Sequence, residues 1–128
     1  MMGDTAICVF AKPPVAGNVK TRLAPALGFE LAAELARVFL LDTLELVSKI
    51  EWAKTVVATT GPFDSGLEEA LAGADIRDQG DGDLGARLER ILRTELEHRD
   101  CVMAIGTDAP ALTREHLSAA RQALSCHD

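Results

Sequence analysis

The chain has 128 residues and carries 20 acidic against 13 basic side chains, a net charge of −7. That length fits one domain with a real apolar core, and 48% hydrophobic with 26% charged residues is the balance of a soluble globular protein. A pI near 4.9 excludes broad nucleic-acid binding, which needs a basic face, and no apolar run approaches the roughly 18 residues of a membrane span.

No cationic region precedes an apolar stretch at the N-terminus, so no secretory signal is expected. Cys8, Cys101 and Cys126 are odd in number, far apart and without CxxC pairing. They argue against a disulfide framework or a zinc site and suit a reducing cytoplasm.

Taken in order, "TAICVFA" (5–11) is a short continuous apolar run, the pattern of a strand buried on both faces. It stops at Lys12, Pro13 and Pro14. From Phe29 to Ile50 the period becomes helical, with Glu30, Glu34, Arg37, Glu45 and Ser48 on one side and Ala32, Leu35, Phe39, Leu46 and Ile50 opposite. "KTVVATT" (54–60) is a second strand, ended by Gly61 and Pro62. Ser65 reads as the N-cap of a short helix to Leu71, with Glu68 completing a capping box and Gly73 ending it. "ADIRDQ" (74–79) is a weaker strand, polar enough for a sheet edge.

Asp83 reads as the cap of the next helix, whose apolar stripe is Leu84, Leu88, Ile91 and Leu96. "CVMAIGT" (101–107) is again a buried strand. A last helix, capped by Thr113, turns Leu117, Ala120 and Leu124 inward. Four strand–helix units in alternation predict a parallel sheet with helices on its faces. Ligands of such sheets sit beyond the carboxyl ends of the strands, which singles out the loops after the first and fourth strands.

The first of these loops is chemically distinct. Between Thr5 and Phe29 the only charges are Lys12, Lys20 and Arg22, and none of the 20 acids falls there. Within it "GNVKT" is not a P-loop, because Val19 stands where the glycine before the lysine must be. What the loop brings to the sheet edge is an anion site: Arg22 can fork onto phosphate oxygens and Lys20 is a mobile point charge. Lys12, Gly17, Lys20 and Arg22 are its candidate anion contacts. The second loop carries Asp108 in "IGTDAP", placed after a buried strand where it can ligate a hard cation, with the Thr107 hydroxyl beside it.

"GDGDLG" (80–85) has the letters of a dinucleotide fingerprint, but Asp81 and Asp83 would repel a pyrophosphate and the preceding strand is the weakest of the four. It reads as a turn with an Asp cap. Its glycines and carboxylates can also touch a ribose or base, which keeps Gly82 and Asp83 as candidate nucleotide contacts. Asp42, His98, His116 and His127 read as surface residues, and no nucleophile elbow or Ser/His/Asp set is present.

Together "FAKPPVAGNVKTRLAPALG", "FLLDTL", "GDLGARL" and "IGTDAPAL" resemble, in order, bacterial GT-A-like proteins of the nucleotide-diphospho-sugar transferase superfamily. More distantly they are similar to the guanylyltransferases of molybdenum cofactor and coenzyme F420 biosynthesis. The resemblance runs from Ala6 to about Ala120. It implies a Rossmann-like α/β/α sandwich with a mostly parallel sheet, binding a nucleotide or nucleotide sugar over the loop of the first strand. Lys12, Lys20 and Arg22 would face its phosphates, and Asp108 would anchor Mg²⁺ or Mn²⁺.

"GTDAP" has one Asp where the DxD-type motif of glycosyltransferases has two, so the donor stays open between a nucleotide sugar and a free nucleoside triphosphate. In the implied reaction Lys20, Arg22 and Asp108 are the catalytic residues of a glycosyl or nucleotidyl transfer to a small-molecule acceptor. The rival reading is a non-catalytic nucleotide-binding or regulatory domain. Relatives of this kind continue for several more strands, so the chain is expected to be an N-terminal portion. Acceptor recognition would then lie beyond Asp128, and the chain would be prone to self-association.

Overall fold

A computed structural model of the protein describes residues 4–14, 28–107, 117, 119 and 120. β1 is Thr5–Ala11, and every residue of it is buried except the half-buried Phe10. It is followed by α1 (Phe29–Ser48), β2 (Ala53–Thr59), a 3-10 turn (Ser65–Leu67), β3 (Asp75–Asp78), α2 (Leu84–Leu96) and β4 (Cys101–Ile105).

The four strands form one sheet in the order β3-β2-β1-β4, and all three pairings are parallel. β1 therefore has a neighbour on each side, with Val9 opposite both Val57 and Ile105. The weakly patterned β3 lies at the edge, as its polar sequence predicts. This is the Rossmann-like α/β architecture expected from the alternating elements.

The order also explains the layers. A right-handed crossover running one way along a sheet lays its connection on one face, and a crossover running the other way lays it on the opposite face. The steps β1 to β2 and β2 to β3 run in one direction; β3 to β4 doubles back past β2 and β1. Accordingly Ile7, Val9, Ala11 and Val57 pack with Leu40, Leu44 and Val47 of α1, with Leu67 of the 3-10 turn and with Leu117. Ala6, Cys8, Val56 and Ala58, pointing the other way, pack with Ile91 of α2. Full burial of each such Leu, Ile or Val stabilises by roughly 1.5–3 kcal/mol.

Several expectations need correction. The buried stripe of α1 is Ala32, Ala33, Leu40, Leu44 and Val47, while Leu35, Phe39 and Leu46 are only half-buried. "RVFLLDTLELV" is apolar around most of the helix, so periodicity left two faces nearly equivalent and the sheet chose between them. Arg37, expected to face outward, reaches across to Asp64 with 3.0 Å between Nη1 and Oδ2.

Asp64, not Ser65, caps the segment after β2, its Oδ1 accepting from the Gly66 amide at 3.0 Å. The segment is a single 3-10 turn pinned by the fully buried Leu67, without the Ser65–Glu68 box. Gly73 does end the region, at φ 83°. β4 ends at Ile105 rather than Thr107. Leu117 is buried as expected, Ala120 is exposed, and Thr113 and Leu124 lie outside the described residues.

The largest departure is in α2. Leu84 and Leu96 are 64% and 53% exposed, whereas Glu95, one turn after Ile91 on the sheet-facing side, is 1% exposed. Glu95 is drawn in by charge on β3: its Oε1 lies 3.7 Å from Arg77 Nε. Arg77 and Arg99 both approach Asp75, at 3.7 Å each, and Lys54 comes within 3.9 Å of it. A buried carboxylate is tolerable only with such partners.

Cys8 lies on this face. Burial pushes its thiol pKa up to about 12, and the charge of Glu95 acts in the same direction, against Arg99 and Arg77. Below the ordinary thiol range, near 8.5, the native and unfolded states both hold this proton and stability is complete. Above it the unfolded thiol ionises while the native one does not. Stability should then fall by up to about 1.4 kcal/mol per pH unit until the native pKa is reached. Urea unfolding at pH 8, 9 and 10 should show this slope in the protein and a shallower one in Cys8→Ala. Equal slopes would mean that Cys8 is not the titrating group.

Candidate functional site at the carboxyl edge of the sheet

In the strand order β3-β2-β1-β4 the direction of winding reverses between β1 and β4, and the crevice beyond their carboxyl ends is where open α/β sheets bind ligands. The chain leaves β1 at Ala11 into the exposed Lys12, and leaves β4 at Ile105 into Gly106 and Thr107. The cationic loop and the segment leading to Asp108 therefore start from adjacent strand ends, one on each side of the reversal. Pro13 rests over Gly61, where an added Cβ would sit 3.7 Å from Pro13 Cγ, so the start of the first loop packs on the end of β2. Gly17, Lys20, Arg22 and Asp108 lie outside the described residues.

The third component is the turn between β3 and α2. Gly80 and Gly82 adopt φ of 78° and 105°, the left-handed region where side chains are strained. Asp78 Oδ1 accepts from the Gly80 amide at 2.8 Å. Asp83 caps α2 as its sequence predicts, Oδ1 accepting from the Ala86 amide at 2.9 Å. Of the two predicted contacts here, Asp83 thus has one oxygen engaged by its helix, and Gly82 is an exposed backbone turn beside it.

Two residues that sequence reasoning passed over hold this edge together. Gln79 is buried, and its Nε2 donates to the carbonyls of Ala58 at 2.8 Å and Ala11 at 3.3 Å, while its own amide donates to Thr59 O at 2.9 Å. One side chain so joins the ends of β1 and β2 to the beginning of the glycine turn. Arg90, two turns into α2, donates from Nη1 to the Gln79 carbonyl and from Nη2 to the Asp81 carbonyl at 3.0 Å. Nothing in the charge pattern distinguishes Arg90 from its neighbours Arg87 and Arg93. The available signal was a lone Gln between a strand and a glycine turn.

Among the described residues no group of three or more His, Cys, Asp and Glu is arranged to hold a metal ion. Asp78 and Asp83 each receive one backbone amide, on Oδ1. A second cleft, lined by Thr59, Phe63, Asp64, Leu71, Ile76 and Asp78, lies by the carboxyl ends of β2 and β3.

Comparisons with known proteins bear on the family and the fold. Residues 43–128 match a family described as "Uncharacterized protein conserved in bacteria (DUF2064)". The chain belongs to that family. A crystal structure of a "putative nucleotide-diphospho-sugar transferase" from Desulfovibrio desulfuricans G20 is similar with a TM-score of 0.82 and 29% sequence identity. The similarity covers 97% of this chain and 55% of the other, so the chain spans about half the length of that structure. None of the curated proteins matches.

Removing the cap at Asp83 should cost about 1 kcal/mol of stability, the ordinary value for Asp to Ala at an N-cap. Asp83→Asn should recover most of it, because the amide oxygen accepts the same bond. Chemical denaturation of both variants checks this; equal loss in both would show that charge, not the hydrogen bond, is what the cap supplies.

Proposed function

We propose that the protein is a nucleotide-dependent transferase that moves a glycosyl or nucleotidyl group from a nucleotide sugar or nucleoside triphosphate, assisted by Mg²⁺ or Mn²⁺. The observation that carries this reading is the strand order. It makes the cationic, acid-free stretch after β1 and the Thr107–Asp108 segment start from neighbouring strand ends, at the edge where such sheets bind ligands. The likeness to the Desulfovibrio structure supports the donor class.

In this reading Lys20 and Arg22 bind the donor diphosphate, with Lys12 at the base of the loop and Gly17 offering backbone without a side chain. Their charge is worth most where phosphate charge grows as the bond to the departing oxygen breaks. Asp108 is the residue that would hold the divalent cation, which when bound supplies further neutralisation of the diphosphate. In the same reading Gly82 and Asp83, on the β3–α2 turn, meet the nucleoside rather than the phosphates, since Asp81 and Asp83 repel anions.

Ligands that bind the native state raise its apparent stability by about 2.7 kcal/mol at a hundred times Kd. A thermal-shift screen of nucleoside triphosphates and nucleotide sugars, with and without Mg²⁺, should therefore give metal-dependent stabilisation by at least one of them. Lys20→Ala or Arg22→Ala should weaken that ligand by about 1–3 kcal/mol, the value of a hydrogen bond to a charged group, with little change in stability. Unchanged calorimetric affinity in the double variant would sink the phosphate assignment.

Asp108→Asn preserves shape and removes charge. Nucleotide affinity in this variant should lose most of its dependence on Mg²⁺ while the fold is retained. If titrations with and without Mg²⁺ differ as much in the variant as in the parent, Asp108 is a turn residue and the metal role belongs elsewhere.

A further inference from the structure

The β3–α2 turn is held at its two ends, where Asp78 Oδ1 accepts from the Gly80 amide and Asp83 Oδ1 from the Ala86 amide. Residues 81–83 are exposed, and Gly80 and Gly82 sit at φ values that other residues avoid but that glycine also leaves easily. What spans the turn is Arg90. Its guanidinium meets the carbonyls of Gln79 and Asp81, on either side of Gly80. Gly80 lies directly beneath it, so that a Cβ added there would collide with the guanidinium.

Arg90 makes no ion pair with a carboxylate among the described residues, although Glu89, Asp81 and Asp83 are close in sequence. A guanidinium presents several donors in a fixed plane, which lets it bridge two carbonyls that a lysine ammonium could not hold together. The exposed position of Arg90 means that core packing does not require it. Through Gln79, the same clamp reaches the carbonyls of Ala11, directly before Lys12, and of Ala58, one residue before the end of β2.

We propose that Arg90 is a positioning residue for the donor site: by bridging the Gln79 and Asp81 carbonyls it keeps the Gly80–Asp83 turn in its binding shape before any ligand arrives. The inference rests on the reading given under Proposed function and adds to it a residue that touches no ligand. A turn that is already ordered spares the ligand the entropy of ordering it, and affinity falls in proportion as the ordered fraction falls.

The test uses Arg90→Ala and Arg90→Lys, with Arg93→Ala as a control on the same helix, where among the described residues Arg93 pairs only with Glu89, at 2.5 Å. Hydrogen exchange read over residues 79–86 should quicken about tenfold in both Arg90 variants, as expected when a charge-assisted bond closing a local unit is lost. The control should match the parent, and the melting temperature should move little in all three. Binding is read by calorimetry with the magnesium complexes of ATP, GTP, CTP and UTP and with UDP-glucose. Whichever of these the parent binds should bind about tenfold more weakly to Arg90→Ala, and Arg90→Lys should not restore it.

Gly80→Ala, which displaces the guanidinium from the opposite side, should reproduce the faster exchange. Exchange that does not change in the Arg90 variants overturns the clamp. Faster exchange with unaltered affinity overturns the positioning role and leaves Arg90 a purely structural residue. Failure of the parent itself to bind any of the five probes overturns the donor-site reading, and the positioning role with it, while exchange still reports on the clamp.

Discussion

β1 is enclosed on four sides: its backbone pairs with β2 on one edge and β4 on the other, and its two faces are covered from opposite layers. Buried backbone amides and carbonyls are costly unless paired, so a strand this apolar is stable only at the centre of a sheet. Its central place forces the later strands outward in both directions, and a sheet built outward both ways must reverse its winding somewhere. The reversal falls beside β1, so the chain leaves β1 at the edge where open α/β sheets bind their ligands. Core packing and site placement thus have one origin.

The polar interactions inside the fold serve different ends. Gln79 satisfies carbonyls at the finished ends of two strands and makes the carboxyl edge one connected surface. Glu95 is harder to justify energetically. One of its oxygens is buried without a hydrogen bond, and its nearest cation is 3.7 Å away. Such a group stabilises less than a well-packed apolar side chain would. Its effect is orientation: only one rotation of α2 brings Glu95 over Arg77 and Ile91 over Cys8 and Val56 at once. That rotation also sets where Arg90 emerges, over the glycine turn.

Electrostatics at the edge divides between two loops. The β3–α2 turn carries Asp81 and Asp83 and ends in a helix N-terminus whose partial positive charge those carboxylates already offset. An anion gains little there. The segment after β1 has the opposite character, cationic and free of acids in a chain of net charge −7. A ligand with a charged end and a neutral polar end would be oriented by this asymmetry alone, charged end towards β1 and β4 and neutral end towards β3. Nucleotides have that form.

The sequence by itself determined the four strands and the fold class: four short runs with strand character, separated by glycine, proline and helical periods, wind as a parallel α/β sheet. It determined the polar edge character of β3 and the Asp83 cap, because both are local properties of a few residues. It also marked Lys12, Lys20, Arg22 and Asp108 as candidates, since charge and proximity to a strand end are visible in one dimension. Only the tertiary structure decided which face of α1 is buried, because its apolar residues encircle the helix and the sheet selects among them. Only it decided that Glu95 goes inside while Leu84 and Leu96 stay out, because the partner that draws Glu95 inward, Arg77, is on another strand. Arg90 was silent in sequence, and Gln79 marked only by its place before a glycine turn, for the same physical reason. Their value is in carbonyls supplied by other segments, and a hydrogen bond between distant parts of a chain leaves no period, no charge pattern and no spacing in the chain itself.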